Sequence, residues 1–402
     1  MAKKRLLIVG NGMSGLKCLE ELLAIDPDKF DITVVGDEPD AAYNRVLLSP
    51  LLAGEITTTD LQSKSRAWYA EHRINLITGV HVVSIDRKAT SAVLSNGKKI
   101  TYDNCVLATG SHPIRLNIPG NDLPGVEVFR SIADAERLAR AATAGCRAIV
   151  IGGGLLGIEA AYGLKRAGAD VTLLHVMSRL MERQLDATAA TLLRSALEGK
   201  GIDVVLEADT ERIEGAGAVE RLVLKSSAEF SASLVVMAVG VRPRIDVAKA
   251  SGLVCQRGIV VDDHMQTSDR SIYAIGECAE HCGAVYGLVE PAYAHARVAA
   301  HTLAGKAASY RGTVLATNLK VSGVPVFSAG DFEGVGAEHI VWRDASAGVY
   351  RKFVVRAGRL AGVVLIGDTT DALWFRDLID SAEPIEKFRT TLAFGRAFAE
   401  AA

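Results

Sequence analysis

Six glycines in two matched sets carry the most specific chemistry in this chain. Gly10, Gly12 and Gly15 stand in the run Gly10-Asn11-Gly12-Met13-Ser14-Gly15. Gly152, Gly154 and Gly157 stand in Gly152-Gly153-Gly154-Leu155-Leu156-Gly157. This spacing serves a diphosphate. The first glycine permits a tight turn, the second lets a phosphate reach the backbone, and the third lets the next helix pack closely on the strand. The helix start then offers N–H groups and a partial positive charge to the anion. Met13 and Ser14, and Leu155 and Leu156, lie within the two runs and are further candidate cofactor-binding residues.

The elements around the glycines make the signal specific. The run Arg5-Leu-Leu-Ile-Val-Gly10 predicts a strand, Leu16 to about Ile25 a helix, and Asp31-Ile-Thr-Val-Val35 a second strand. The order recurs in Arg147-Ala-Ile-Val-Ile-Gly152, a helix through about Ala167, and Asp170-Val-Thr-Leu-Leu174. The ends of the two second strands differ. Asp37 or Glu38 can accept hydrogen bonds from a ribose, with Glu38 the preferred candidate. In the second copy His175 stands where that acid is expected, followed by Ser178 and Arg179. An acid there favours NAD, whereas a basic side chain tolerates the 2′-phosphate of NADP, so the pattern leaves the nucleotide open. Two dinucleotide sites in one chain point to FAD with NADH or NADPH, because a flavin takes up a hydride and releases single electrons.

Composition bounds the rest. At about 150 residues per domain, 402 residues predict two or three domains. Apolar residues make up 49% and charged residues 23%, an ordinary folded balance that excludes wholesale disorder. A net charge of −2 argues against general binding of nucleic acid or acidic membranes. The apolar run after Lys3-Lys4-Arg5 is too short for a signal peptide, and no stretch approaches a membrane span, so a cytoplasmic protein is expected. The six cysteines form no CxxC and lack iron–sulfur cluster spacing; Cys278 and Cys282 form a CxxxC, a redox pair or two inert thiols.

Beyond the glycine turns, several segments resemble one family. They are Tyr43-Asn-Arg-Val-Leu-Leu-Ser49, Val106-Leu-Ala-Thr-Gly110, Met181-Glu-Arg-Gln-Leu-Asp186, Ala238-Val-Gly-Val-Arg-Pro243, Ile272-Tyr-Ala-Ile-Gly-Glu277 and Gly287-Leu-Val-Glu-Pro291. Thr317-Asn-Leu-Lys-Val-Ser-Gly323 and Gly362-Val-Val-Leu-Ile-Gly-Asp368 continue the likeness. Over nearly its whole length the chain resembles the FAD-dependent pyridine nucleotide-disulfide oxidoreductase superfamily. It is most similar to the flavoprotein module of assimilatory NAD(P)H nitrite reductase large subunits and to the electron-transfer subunits of assimilatory nitrate reductases. Rubredoxin and ferredoxin reductases are further relatives.

The resemblance implies cofactor-binding roles for Arg45, Ser49, Val82, Ala108, Thr109, Gly110, Arg130, Glu159, Gly240, Gly276, Glu277, Glu290 and Pro291. Arg45 suits a pyrophosphate clamp because its planar fork donates twice. Glu277, an acceptor when ionised, suits ribityl or ribose hydroxyls. A helix from about Pro291 would aim N–H groups at the flavin edge. Glu159 corresponds to the acid beside the nicotinamide. Pro50 stands where ferredoxin reductases often have lysine, and no cysteine lies between Cys18 and Cys105, which removes the family's disulfide chemistry.

The expected architecture is α/β, with two Rossmann-like dinucleotide-binding domains and a small C-terminal α/β domain. Residues 1–115 and 244–312 would bind FAD, 116–243 would bind NAD(P)H, and 313–402 would form the C-terminal domain. The expected partner is an iron–sulfur or other redox acceptor protein, foremost a nitrate or nitrite reductase catalytic subunit. A rubredoxin or ferredoxin reductase and a non-catalytic FAD/NAD(P)H redox sensor are the alternatives. No catalytic acid, base or metal is assigned. Purified protein is expected to be yellow with one FAD per chain. Gly12→Val should lose the flavin by filling the phosphate's approach, which the flavin-to-protein absorbance ratio measures directly.

Overall fold

Val9, Leu6, Leu7 and Ile8 are all buried, as befits a strand covered on both faces in a parallel sheet. In the computed structural model, which describes residues 3–319 and 323–401, this strand is Lys4–Val9 and lies at the centre of five. The order is Ile272–Ala274, Asn104–Leu107, Lys4–Val9, Phe30–Val35 and Asn75–Ile77, all parallel. A second parallel sheet repeats the plan, in the order Ile202–Val205, Asp170–Leu174, Arg147–Ile151, Leu234–Met237 and Val126–Val128. In each, the central strand has the next parallel strand on one side and a much later one on the other. Such a switch point opens a crevice at the strands' carboxyl ends.

The duplication runs further than the glycine turns. Before the chain returns beside Lys4–Val9 it makes a three-stranded antiparallel sheet, Val82–Asp86, Ser91–Leu94 and Lys99–Thr101. Before it returns beside Arg147–Ile151 it makes another, Thr210–Glu214, Arg221–Leu224 and Glu229–Ser231.

The chain divides into two compact units. The first takes residues up to Val46, then Thr58–His112 and Val241–Thr313; the second takes Leu47–Thr57, Pro113–Gly240 and the residues from Val314 onward. Apart from shifts of a few residues at the joins, two segments sit differently from the expected layout. Leu47–Thr57 was expected with its flanking FAD segments, but its helix Leu48–Leu52 packs on the helix Leu155–Ala167. Gly163 allows the close approach, since a Cβ there would lie 2.8 Å from Leu52 Cδ2. The C-terminal residues also join the second unit. Tyr350 donates to Asp186 at 2.8 Å, and the buried Lys352 ammonium lies 3.3 Å from the same carboxylate, which caps the helix Ala187–Glu198.

The C-terminal strands form an antiparallel sheet in the order Ala316–Leu319, Val326–Gly330, Arg359–Ile366, Val349–Arg356 and Glu338–Asp344. The helix Ala372–Ser381 covers one face through Phe375, whose ring centre lies 4.9 Å from that of Phe353. Lys320–Ser322 of the expected 317–323 segment lie outside the described residues.

Gly157 sits inside the helix Leu155–Ala167, where alanine would ordinarily be favoured by about 1 kcal/mol. A Cβ there would overlap the Gly152 carbonyl oxygen. The overlap should win: Gly157→Ala is expected to destabilise the protein by about 2 kcal/mol, read from the urea unfolding midpoint.

Candidate nucleotide sites

Both glycine turns are built the same way. Gly10 and Gly152 have φ of 111° and 121°, and a Cβ at either would overlap the carbonyl oxygen of Ala108 or Ala238 on the returning strand's end. Their N–H groups donate to Val35 and Leu174 at 2.8 Å, tying each turn to the neighbouring strand. The helices Met13–Ile25 and Leu155–Ala167 then begin with glycine N-caps, without a side-chain cap and without an acid in the first turn. By contrast Ser65, Ser131 and Asp186 cap their own helices with side-chain oxygens. The glycine-turn helices therefore keep N–H groups and positive potential for an anion from elsewhere. At Gly12 and Gly154 a Cβ would meet nothing within 4 Å, so the cradle is open where the second glycine was expected to leave room.

In the first unit, Asn11 sits within the turn. Tyr69 donates to its Oδ1 at 2.9 Å, while its buried Nδ2 has no hydrogen-bond partner. An orphan donor at the turn, with the open space at Gly12, fits a dinucleotide pyrophosphate. Met13 and Ser14 form the first helical turn, and Gly276 crosses close over it, where a Cβ would lie 2.9 Å from Ser14 Cβ. Glu277 follows and accepts from Ser111 at 2.6 Å. Thr109 donates to the Arg244 carbonyl at 2.8 Å, and Arg244 N–H donates to Gly110, so the strand end after Ala108 is braced by the returning chain. The helix Val289–Leu303 carries Glu290 in its first turn, with Pro291 buried beside it.

The acids expected at the ribose are both engaged. Asp37 pairs with Arg244, and although burial raises its carboxyl, that guanidinium outweighs the burial and holds it below the usual carboxylate range. Glu38 pairs with Arg45 and accepts from Tyr43 at 2.5 Å, while Arg45 lies over the Tyr43 ring at 4.9 Å. The expected ribose acid and phosphate clamp thus meet directly. Val82 is buried, at 3% exposure, in the hydrophobic core of the first unit.

In the second unit, Ser49 and Glu159 come together. Ser49 Oγ donates to Glu159 Oε2 at 3.1 Å, and both side chains are buried. Burial pushes the Glu159 carboxyl up to about 7, against the smaller opposing effect of the Ser49 hydrogen bond. His175 is also buried, between Gly153 N–H and the Glu182 carboxylate. Leu155 and Leu156 are half-buried at the helix start, and Gly240 is exposed after the strand Leu234–Met237. Arg130 precedes the Ser131 cap, and its backbone N–H donates to Asp134 at 3.0 Å.

Asn11, Tyr43, Ser111, Arg244 and Glu182 were not among the expected binding residues. Asn11, Tyr43 and Glu182 lie in the quoted segments; Ser111 and Arg244 are tertiary partners without a local pattern. The cysteines do not pair. Cys278 is buried and donates to Leu107 and Ile275 carbonyls, whereas Cys282 is exposed, and all six thiols are unbridged. Burial raises the Cys18 thiol to about 12, and it raises Cys105 and Cys278 as well, which disfavours their thiolates. No helix among the described residues is long and apolar enough to cross a membrane.

Known proteins resemble this chain over most of its length. The family model described as pyridine nucleotide-disulphide oxidoreductase matches residues 4–302, and that of the rubredoxin NAD+ reductase C-terminal domain matches 316–383. The chain is 46% identical to a nitrite reductase [NAD(P)H] of Bacillus subtilis (strain 168) over 92% of this chain and 46% of that protein. It is 44% identical to the assimilatory nitrate reductase electron transfer subunit of the same organism, over 92% of this chain and 48% of that one. It thus spans just under half the length of these relatives. Its fold superposes on a ferredoxin reductase from Rhodopseudomonas palustris with a TM-score of 0.89 and 27% identity, covering 100% of both chains.

The raised carboxyl of Glu159 has a pH consequence. Its folded-state value near 7 exceeds the ordinary 4.5, so its stabilising contribution is full below 4.5 and is lost as pH rises through 7. The loss is on the order of 3 kcal/mol. Glu159→Gln should therefore match the parent's thermal midpoint at pH 4 and exceed it at pH 8.

Proposed function

The chain belongs to the pyridine nucleotide-disulphide oxidoreductase family, and from that premise we propose that it carries electrons from NAD(P)H to a redox partner in nitrate or nitrite assimilation. It is an FAD-dependent NAD(P)H oxidoreductase. The observation that carries the reading is the pair of uncapped glycine-turn helices, one in each unit. The turn at Gly10–Gly15, with the orphan amide of Asn11, receives the FAD pyrophosphate, and the turn at Gly152–Gly157 receives that of NAD(P)H. When bound, FAD accepts a hydride equivalent and gives up electrons singly.

The protein's own part is orientation and electrostatics. Glu277, fixed by Ser111, offers its carboxylate to FAD hydroxyls. The start of Val289–Leu303, which has no side-chain cap, would offer backbone N–H groups to a flavin whose negative charge grows on reduction. Glu159, whose carboxyl burial raises to about 7, carries less negative charge near neutral pH than an ordinary carboxylate would beside the nicotinamide. The partner is an iron–sulfur or other redox acceptor, foremost a nitrate or nitrite reductase catalytic subunit, and the compartment is the cytoplasm, where the NAD(P)H pool is reached.

The match to the rubredoxin reductase C-terminal domain supports a second reading, a rubredoxin or ferredoxin reductase. Steady-state NAD(P)H oxidation with ferricyanide is expected to turn over; bound FAD without turnover would instead indicate a redox sensor. With turnover in hand, faster reduction of a nitrate or nitrite reductase catalytic subunit than of rubredoxin would support the first reading, and the reverse order the second.

A further inference from the structure

We propose that Glu182 is the carboxylate that receives the nucleotide's adenosine ribose, and that it selects NADH, with a free 2′-hydroxyl, over 2′-phosphorylated NADPH. The proposal rests on the reading of the Gly152–Gly157 turn as the NAD(P)H site. In this type of fold the ribose hydroxyls are met at the end of the strand after the glycine-turn helix, here Asp170–Leu174. The next residue is His175, and its ring is already committed on both sides. Nδ1 accepts the Gly153 N–H at 3.0 Å, so the ring proton lies on Nε2, which donates to Glu182 Oε2 at 3.1 Å. A neutral imidazole has one acceptor and one donor, and both are used.

The chain beyond His175 brings the carboxylate back to the turn. Met181, at a φ of 48°, donates its N–H to the Gly153 carbonyl at 2.9 Å. Glu182 follows directly, with about a quarter of its side chain exposed, so a ligand can reach it. An ionised carboxylate has about four lone-pair sites, and the imidazole takes one. His175 is thus a positioning residue: it transfers the acid of the strand end outward by the length of one imidazole.

The cations nearby favour the same choice. Arg179, the basic side chain that could take a 2′-phosphate, pairs with Glu333 and also donates to the Glu182 carbonyl at 3.4 Å. Arg183 is 85% exposed and lies 3.8 Å from Glu182 Oε1, a solvated pair of small worth. A 2′-phosphate at this point meets a fixed carboxylate, while the better-held guanidinium already pairs through Nη2 with another acid, although its buried Nε has no partner among the described residues.

The test uses ADP-ribose and 2′-phospho-ADP-ribose, which carry no nicotinamide, titrated calorimetrically into the flavin-loaded protein. The parent should bind ADP-ribose at least about tenfold more tightly, the worth of one charge-assisted hydrogen bond. Glu182→Gln should bring the two affinities within about threefold, and Glu182→Arg should reverse their order. His175→Phe should lose much of the discrimination, and His175→Gln, which keeps an acceptor and a donor, should restore it. Unchanged discrimination in both Glu182 variants, or a parent that prefers the phosphorylated probe, overturns the proposal and leaves the nucleotide site standing. A parent that binds neither probe overturns the nucleotide reading itself.

Discussion

A helix can leave the top of a parallel strand and still touch it only if nothing projects from the backbone where the two meet. This constraint governs both nucleotide turns. The carbonyl oxygens of Ala108 and Ala238 occupy the volume that a side chain at Gly10 or Gly152 would need, and the turn's own carbonyls occupy that needed at Gly15 and Gly157. Because the glycines carry no side chain, backbone approaches backbone, and the helix starts are drawn up to the sheet ends. Because Gly12 and Gly154 serve as N-caps without side-chain oxygens, those helix starts are left hungry for acceptors. The same economy that packs the sheet therefore creates the anion site.

Around that frame the charges are held in a second layer of contacts. Asp37 is held by Arg244, Glu38 by Arg45 and Tyr43, Glu277 by Ser111, and Glu182 by His175. Each acid thus has a defined direction before any ligand is present, which lowers the ordering cost of binding. Glu159 is the exception in kind. Its partner is a neutral hydroxyl, and burial, the larger effect, decides its protonation. The substitution of proline for a lysine at position 50, noted in the sequence, belongs to this same short helix that delivers Ser49.

The places of the strands Arg147–Ile151 and Asp170–Leu174, and of the helix Leu155–Ala167 between them, were legible because an apolar run, three glycines and a second apolar run are local patterns. The helix after Gly12 begins at Met13, three residues before the apolar Leu16 that signalled it, since a glycine turn carries no hydrophobic period of its own. What was not legible is pairwise and distant. Arg244 and Asp37 are 207 residues apart, and His175 reads locally as a replaced acid until Gly153 and Glu182 are seen on its two nitrogens. The placement of Leu48–Leu52 on Leu155–Ala167 was hidden for the same reason, because its short apolar run suits either core.

The order of strands also sets a timetable for synthesis. Ile272–Ala274 closes the edge of the first sheet beside Asn104–Leu107, yet the whole second parallel sheet, from Val126 to Met237, is translated between them. At about 5–20 residues per second a ribosome needs on the order of ten seconds to span that gap. During that interval Asn104–Leu107 has an unpaired edge, the kind that recruits strands from other chains. The second sheet, made of one continuous stretch, can meanwhile close on itself. The edge at Asn104–Leu107 therefore stays open until residue 274 has been made, and a chaperone that shields it would bridge that interval.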